Sequence, residues 1–291
     1  MILAVLLTTL GLASAAFVIA FALAFRRRPS KPTAESIGLG AATNFFDALG
    51  IGCFAPSTAY LKFRRLVPDE LIAPTMICGY ALGAVTESFA FIGQVQVDPA
   101  LLGAAIAASA AGALAGVSVA SRLAVRPIRF TLGLGLLIAA AIYALSNLGL
   151  MPPGGAATSL APAPFALVVA ASFGLGVLMN LGIGNYAPTL ILVSLLGMDP
   201  RAAFPIMMGS AALLMTAAGV RVLGKRPLDL GMVAGMTLGS VPAVLVAAFV
   251  VKSLPLSALR WGVVVVVTYA GGLMLRAALA PHGKPAAATA A

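Results

Sequence analysis

The sequence predicts an all-α polytopic membrane protein. Its expected architecture is an inverted repeat of three spans plus a re-entrant broken-helix hairpin in each half, with one extra span at the N-terminus. Three observations lead there. Apolar residues make up 61% of the 291 positions and charged residues 9%, and the mean hydropathy is +1.08. A soluble domain carries about a quarter charged residues, so lipid must cover what charge here cannot. Apolar runs of spanning length, about 20 residues, recur along the chain. Finally, Leu49-Gly50-Ile51-Gly52-Cys53-Phe54-Ala55-Pro56-Ser57 returns 132 positions later as Leu181-Gly182-Ile183-Gly184-Asn185-Tyr186-Ala187-Pro188-Thr189, each time inside a long apolar segment.

The first run, from Met1 to Phe25, precedes Arg26, Arg27 and Arg28. A cleaved signal peptide has the reverse order, charge before the apolar core, so this run reads as a first span with its N-terminus outside. Further uninterrupted candidates cover roughly 71–93, 99–121, 129–150, 202–223, 229–251 and 258–279. Two more stretches, roughly 37–63 and 165–196, are apolar but broken by the repeated element.

Loop charge sorts the sides, because short cytoplasmic loops carry the excess of Lys and Arg. Arg26–Arg28 with Lys31, then Arg122, Arg126 and Arg129, then Arg221, Lys225 and Arg226 all belong inside. Loops 94–98 and 150–164 lack basic residues and belong outside. These assignments agree only if each broken stretch turns back to the side it entered from, the first from inside and the second from outside. Lys252, in a loop assigned outside, runs against the pattern. Further matches at offsets of 131 or 132 (Pro68 with Pro200, Gly93 with Gly224, Asp98 with Asp229, Arg129 with Arg260) extend the duplication. The organisation is then residues 1–36, an N-terminal span and basic loop; 37–150, the first repeat; 151–164, an external linker; 165–280, the second repeat; and 281–291, a disordered Ala/Pro tail. The chain belongs in the cell membrane as a multi-pass protein with a cytoplasmic C-terminus. Trp261 reads as an interfacial anchor.

Gly/Pro-broken segments at matching positions of two halves point to a transporter's binding site. The glycines permit positive φ and close backbone approach. Pro56 and Pro188 suit the first position of a helix, which makes Ala55 and Ala187 the N-caps. Alanine cannot accept from first-turn amides, so those of Ser57, Thr58 and Ala59, and of Thr189, Leu190 and Ile191, would be free to hold an anion at a helix N-terminus. The candidate substrate-binding residues are Gly50, Gly52, Cys53, Ser57, Thr58, Asn180, Gly182, Gly184, Asn185, Tyr186 and Thr189. Close helix packing alone also uses glycine, but two copies that share proline and a hydroxyl residue favour a ligand.

Asn44 and Asp47 are further polar residues at depth, and Glu87 lies inside the span 71–93. Ionisable groups in a membrane are costly and functional by default, so Glu87 and Asp47 are the candidate coupling residues. Their mates at the repeat offset, Ala218 and Met179, are apolar, so the two halves are not chemically equivalent.

The net charge of +10 sits in short loops and needs no nucleic-acid partner. Cys53 and Cys78 form neither a disulfide framework nor a spaced metal set. The one histidine, His282, lies in the tail. Ser57 therefore lacks a catalytic base, which argues against an intramembrane enzyme, and no Gly-x4-Gly-Lys-Ser/Thr phosphate loop is present. No cofactor is expected. An anion channel, or a permease for another small anion, is the alternative to a coupled transporter. The residues leave open the coupling ion, proton or sodium, and whether the chain forms a homodimer.

The two elements, with Asn44-Phe45-Phe46-Asp47-Ala48-Leu49-Gly50-Ile51-Gly52 leading into the first and the Pro68-Asp69 turn after it, resemble the TauE/SafE sulfite-exporter family over residues 37–279. Many members have three consecutive glycines in this element; here Cys53 and Asn185 stand in the third position. The resemblance implies export of sulfite or small organosulfonates, with a proton as coupling ion.

Overall fold

A computed structural model describes residues 2–119, 124–150, 155–179, 185–223 and 228–279. Among these are eleven α-helices, eight of them long and apolar enough to cross a membrane. The protein is a polytopic helical membrane protein.

Helix α1 (Ile2–Arg27) lies at the periphery, with Leu10 and Phe17 as its buried side chains. Two series of five helices follow. The first comprises α2 (Ala34–Ala48), α3 (Phe54–Arg64), α4 (Asp69–Gln94), α5 (Pro99–Val119) and α6 (Val125–Asn147). The second comprises α7 (Pro162–Met179), α8 (Tyr186–Leu195), α9 (Ala203–Leu223), α10 (Leu230–Ser253) and α11 (Leu256–Leu279). The spans fall within a few residues of their expected limits, because an apolar run ends where its charges begin. The broken stretches become α2 with α3 and α7 with α8. Their limbs are unequal: α7 has 18 residues and is long enough to cross, whereas α8 has 10.

Packing interlaces the two series. α2 lies along α10 and α5 along α7, while α4 packs on α9 and α6 on α11. Glycine permits the close approaches. Gly231, Gly235 and Gly239 present one stripe of α10 to Lys31, Ser36 and Ile37, and a Cβ on Gly239 would collide with the Ile37 carbonyl. Gly40 of α2 lies against the backbone of Met236. Gly176 of α7 meets Ser109 and Ala113 of α5 in the same way. Small residues at such crossings replace the hydrophobic drive that lipid removes.

Polar contacts define two ends of the bundle. At one end, Arg64 Nε and Tyr60 Oη both donate to Glu35 Oε1 at 2.8 Å, clasping the start of α2 to the end of α3. There too Lys62 pairs with Asp69, Ser30 donates to Asp229, and Arg126 Nε donates to the Ala278 carbonyl. At the other end, Ala157, just before α7, bridges Met198, just after α8, and its carbonyl accepts from Asp199 N at 2.9 Å. Asp98 N donates to Thr158 O, Arg201 reaches the Leu254 carbonyl, and Arg260 reaches that of Gly155. Arg65 (φ 52°) and Gly197 (φ 85°), 132 positions apart, end α3 and α8 in the left-handed conformation. Arg122, Lys225, Arg226 and the tail from 281 lie outside the described residues.

Candidate functional site

The first hairpin tip is a helix terminator followed at once by a helix start. Gly50 takes φ 91°, with Gly50 N–H to Asp47 O at 2.8 Å and Ile51 N–H to Phe46 O at 3.1 Å. This paired C-terminal closure needs a left-handed residue after the cap, which glycine supplies without a Cβ penalty. Gly52 takes φ 90° and opens the approach to α3. A Cβ on Gly50 would touch Leu190 of α8 and Phe204 and Met207 of α9, so the tip reaches the second series.

The helix starts differ from expectation. α3 begins at Phe54 and α8 at Tyr186, so Cys53 and Asn185, not Ala55 and Ala187, are the N-caps, and the prolines fall at the third helical position. The amides expected to be free are therefore engaged. Ser57 N donates to Cys53 O at 3.1 Å and Thr189 N to Asn185 O at 3.0 Å, while Thr58, Ala59, Leu190 and Ile191 lie further into their helices. Only the first two amides of each helix lack an acceptor in their own helix, since proline at the third position has no N–H. Asp47 Oδ1 accepts from Cys53 N at 2.7 Å, so a carboxylate of the preceding helix caps α3; α8 starts at the matching position although Met179 stands where Asp47 would.

Around this tip the polar side chains divide into satisfied and poised. Ser57 Oγ donates to Cys53 O at 2.6 Å and meets Tyr80 Oη at 2.5 Å, and Thr43 Oγ1 meets Tyr80 Oη at 2.7 Å. Ser57 thus ties α3 to α4. Thr58 Oγ1 contacts Met76 Sδ at 3.7 Å, and Asn185 Nδ2 donates weakly to Met207 O at 3.5 Å. The poised group contains the two acids. Asp47 and Glu87 are both buried. Tyr186 Oη, from the first turn of α8, donates to Glu87 Oε2 at 3.3 Å, while Oε1 has no partner. Glu87 therefore receives a bond from the second series while belonging to the first. The buried polar side chains include no Lys, Arg or His among the described residues.

Of the expected site residues, Gly50, Gly52, Cys53, Asp47, Glu87 and Tyr186 converge on this region. Asn180, Gly182 and Gly184 lie outside the described residues. Sequence reasoning assigned no role to Tyr80, whose signal was its spacing with Gly83 and Glu87 along one face of α4. No group of three or more His, Cys, Asp or Glu suited to a metal occurs among the described residues. Comparison with protein-family models, with curated proteins and with solved structures finds no match.

Proposed function

We propose that this chain is a secondary transporter of small oxyanions that works by alternating access, with sulfite and small organosulfonates as its substrates. The observation that carries the reading is the meeting of two broken segments around a buried carboxyl pair at mid-depth. At 1.5 Å per residue, α2 reaches Asp47 about 20 Å from one end and α8 reaches Tyr186 about 15 Å from the other. Together these lengths match an apolar core of about 30 Å with its margins.

On this reading both broken segments are re-entrant and the halves are inverted. The Glu35 clasp brings the limits of the first segment together at one end of the bundle, and the Ala157–Met198 bridge does the same for the second at the opposite end. Arg26–Arg28, Lys31, Arg64 and Arg126 share the first end, so the positive-inside rule assigns it to the cytoplasm. The N-terminus is then outside and the C-terminus cytoplasmic, in the cell membrane. With Cys53 and Cys78 replaced by alanine, a cysteine introduced at Gln96 should react with an impermeant maleimide from outside, and one at Lys31 only from inside. The reverse pattern overturns the orientation.

Two carboxylates in an apolar medium repel an anion, so the anion enters together with a neutralising cation. On this reading the protein is a coupled transporter, with a channel as the alternative. The sulfur chemistry and the export direction rest on the resemblance to the TauE/SafE family.

The test is flux into and out of proteoliposomes under imposed proton and sodium gradients. Saturable sulfite flux that follows a cation gradient and is inhibited by small sulfonates is expected. Gly52→Val, which forces a β-branched residue to φ 90°, should carry none while still inserting. No flux of any of these anions through folded protein discards the substrate class. Gradient-independent, non-saturating flux makes the protein a channel.

A further inference from the structure

We propose that Asn44, Asp47 and Glu87 form a binding site for a sodium ion, which would be the coupling cation of the transport reading on which this inference rests. The argument begins with Asn44. Its side chain is fully buried, and neither carboxamide atom has a hydrogen-bond partner. An unpaired buried amide bears the full desolvation penalty of its polar atoms, so an asparagine there points to a ligand. The side chain is aimed at Gly83, where a Cβ would lie 2.8 Å from Asn44 Nδ2 and 3.0 Å from Ser240 Oγ. Absence of a side chain at Gly83 thus lets α2, α4 and α10 bring polar atoms to one point.

Glu87 stands one turn beyond Gly83 on α4. Helical side chains lean towards the N-terminus, so its carboxyl is set back over the turn that Asn44 approaches. Asp47 stands one turn beyond Asn44 on α2. One oxygen of each acid already accepts from a fixed donor, Asp47 Oδ1 from Cys53 N and Glu87 Oε2 from Tyr186 Oη. Ionised, the two carboxyls carry charge that must be balanced inside the membrane, by a bound cation or by protons.

The oxygens left without a partner here are Glu87 Oε1 and the carboxamide oxygen of Asn44, and the Asp47 carboxyl follows one turn beyond Asn44. Hard oxygen donors select alkali and alkaline-earth cations over softer metals. Calcium takes 6–8 oxygens, often through bidentate carboxylates, and here each carboxylate has one oxygen committed to a donor. A singly charged ion with few protein ligands fits better. The hydroxyl of Ser88, buried without a partner next to Glu87 in sequence, is a further oxygen of this part of α4.

The experiment needs no transport assay. Full-length protein in sodium-free detergent is unfolded thermally while NaCl is titrated against KCl and choline chloride at constant ionic strength and pH. A saturable rise of several degrees with NaCl alone is expected, and its loss in Asn44→Leu and Glu87→Gln. Equal midpoints in all three salts overturn the site, and so does stability that answers to pH but to no cation, which would assign the pair to protons. Retention of the full sodium shift in both variants overturns these ligands. If either variant does not fold, the three-salt comparison on the unaltered protein still decides. Because binding is read directly, failure here leaves the transport reading standing, and absence of sulfite flux leaves a measured sodium shift intact.

Discussion

Gly40→Ala is expected to lower the thermal unfolding midpoint by several degrees, whereas Gly38→Ala, two residues away on the same helix, should leave it unchanged or raise it. Both changes add the same methyl group, and both improve helix propensity by up to about 1 kcal/mol. The difference is what the methyl meets. At Gly40 it would run into the carbonyl of Met236, with Met236 Cα at 2.7 Å; at Gly38 it finds nothing within 4 Å. Backbone cannot move aside as a side-chain tip can, so α2 and α10 must separate along their shared length, at an overpacking cost of about 1–3 kcal/mol. The same contrast is expected on α7. Gly176→Ala meets Ser109 and Ala113 of α5, while Gly174→Ala meets nothing within 4 Å. Equal midpoints within either pair would mean that the helices are not in close contact there.

Glu87→Gln should uncouple transport without unfolding the protein. Glutamine keeps the shape and can still accept from Tyr186, but it removes one of two buried charges. In the absence of sodium, the unaltered protein should carry sulfite faster as pH falls, since protons then neutralise the pair that repels the anion. The variant should show a flat profile, with flux at high pH raised towards the low-pH rate, a gain on the order of tenfold, or about 1.4 kcal/mol. A profile with the original slope would clear Glu87 of any part in coupling.

The helices were legible because each apolar run stops at a charged or proline-rich loop. The first hairpin was legible in its glycines, since Gly50 and Gly52 both take the positive φ that their spacing suggests. Local rules failed at the helix starts. Proline at the first helical position is a sound preference, but both α3 and α8 start two residues upstream of it, and only α3 has a carboxylate, that of Asp47, at its cap. Burial of Glu87 and Asp47 could be anticipated from hydropathy, but their grouping with Asn44 and Tyr186 could not. That grouping depends on which helix faces which, and α2 meets a partner almost two hundred residues away. The four-residue spacing of Gly231, Gly235 and Gly239 was visible, yet spacing identifies a contact face and never its occupant.

The pairing of α2 with α10 also bears on how the protein is made. At a synthesis rate of about 5–20 residues per second, α2 emerges roughly ten to forty seconds before α10 exists. During that interval its Thr43, Asn44 and Asp47 have no helix of the second series to cover them, and the glycine face that will hold α10 is open. α5 waits less, because α7 follows it closely in the chain. The first half therefore cannot complete itself in the membrane. Its helix α2, which buries Ser36, Thr43, Asn44 and Asp47, depends on the last third of the chain, so truncation after α6 should leave a fragment for quality control to remove.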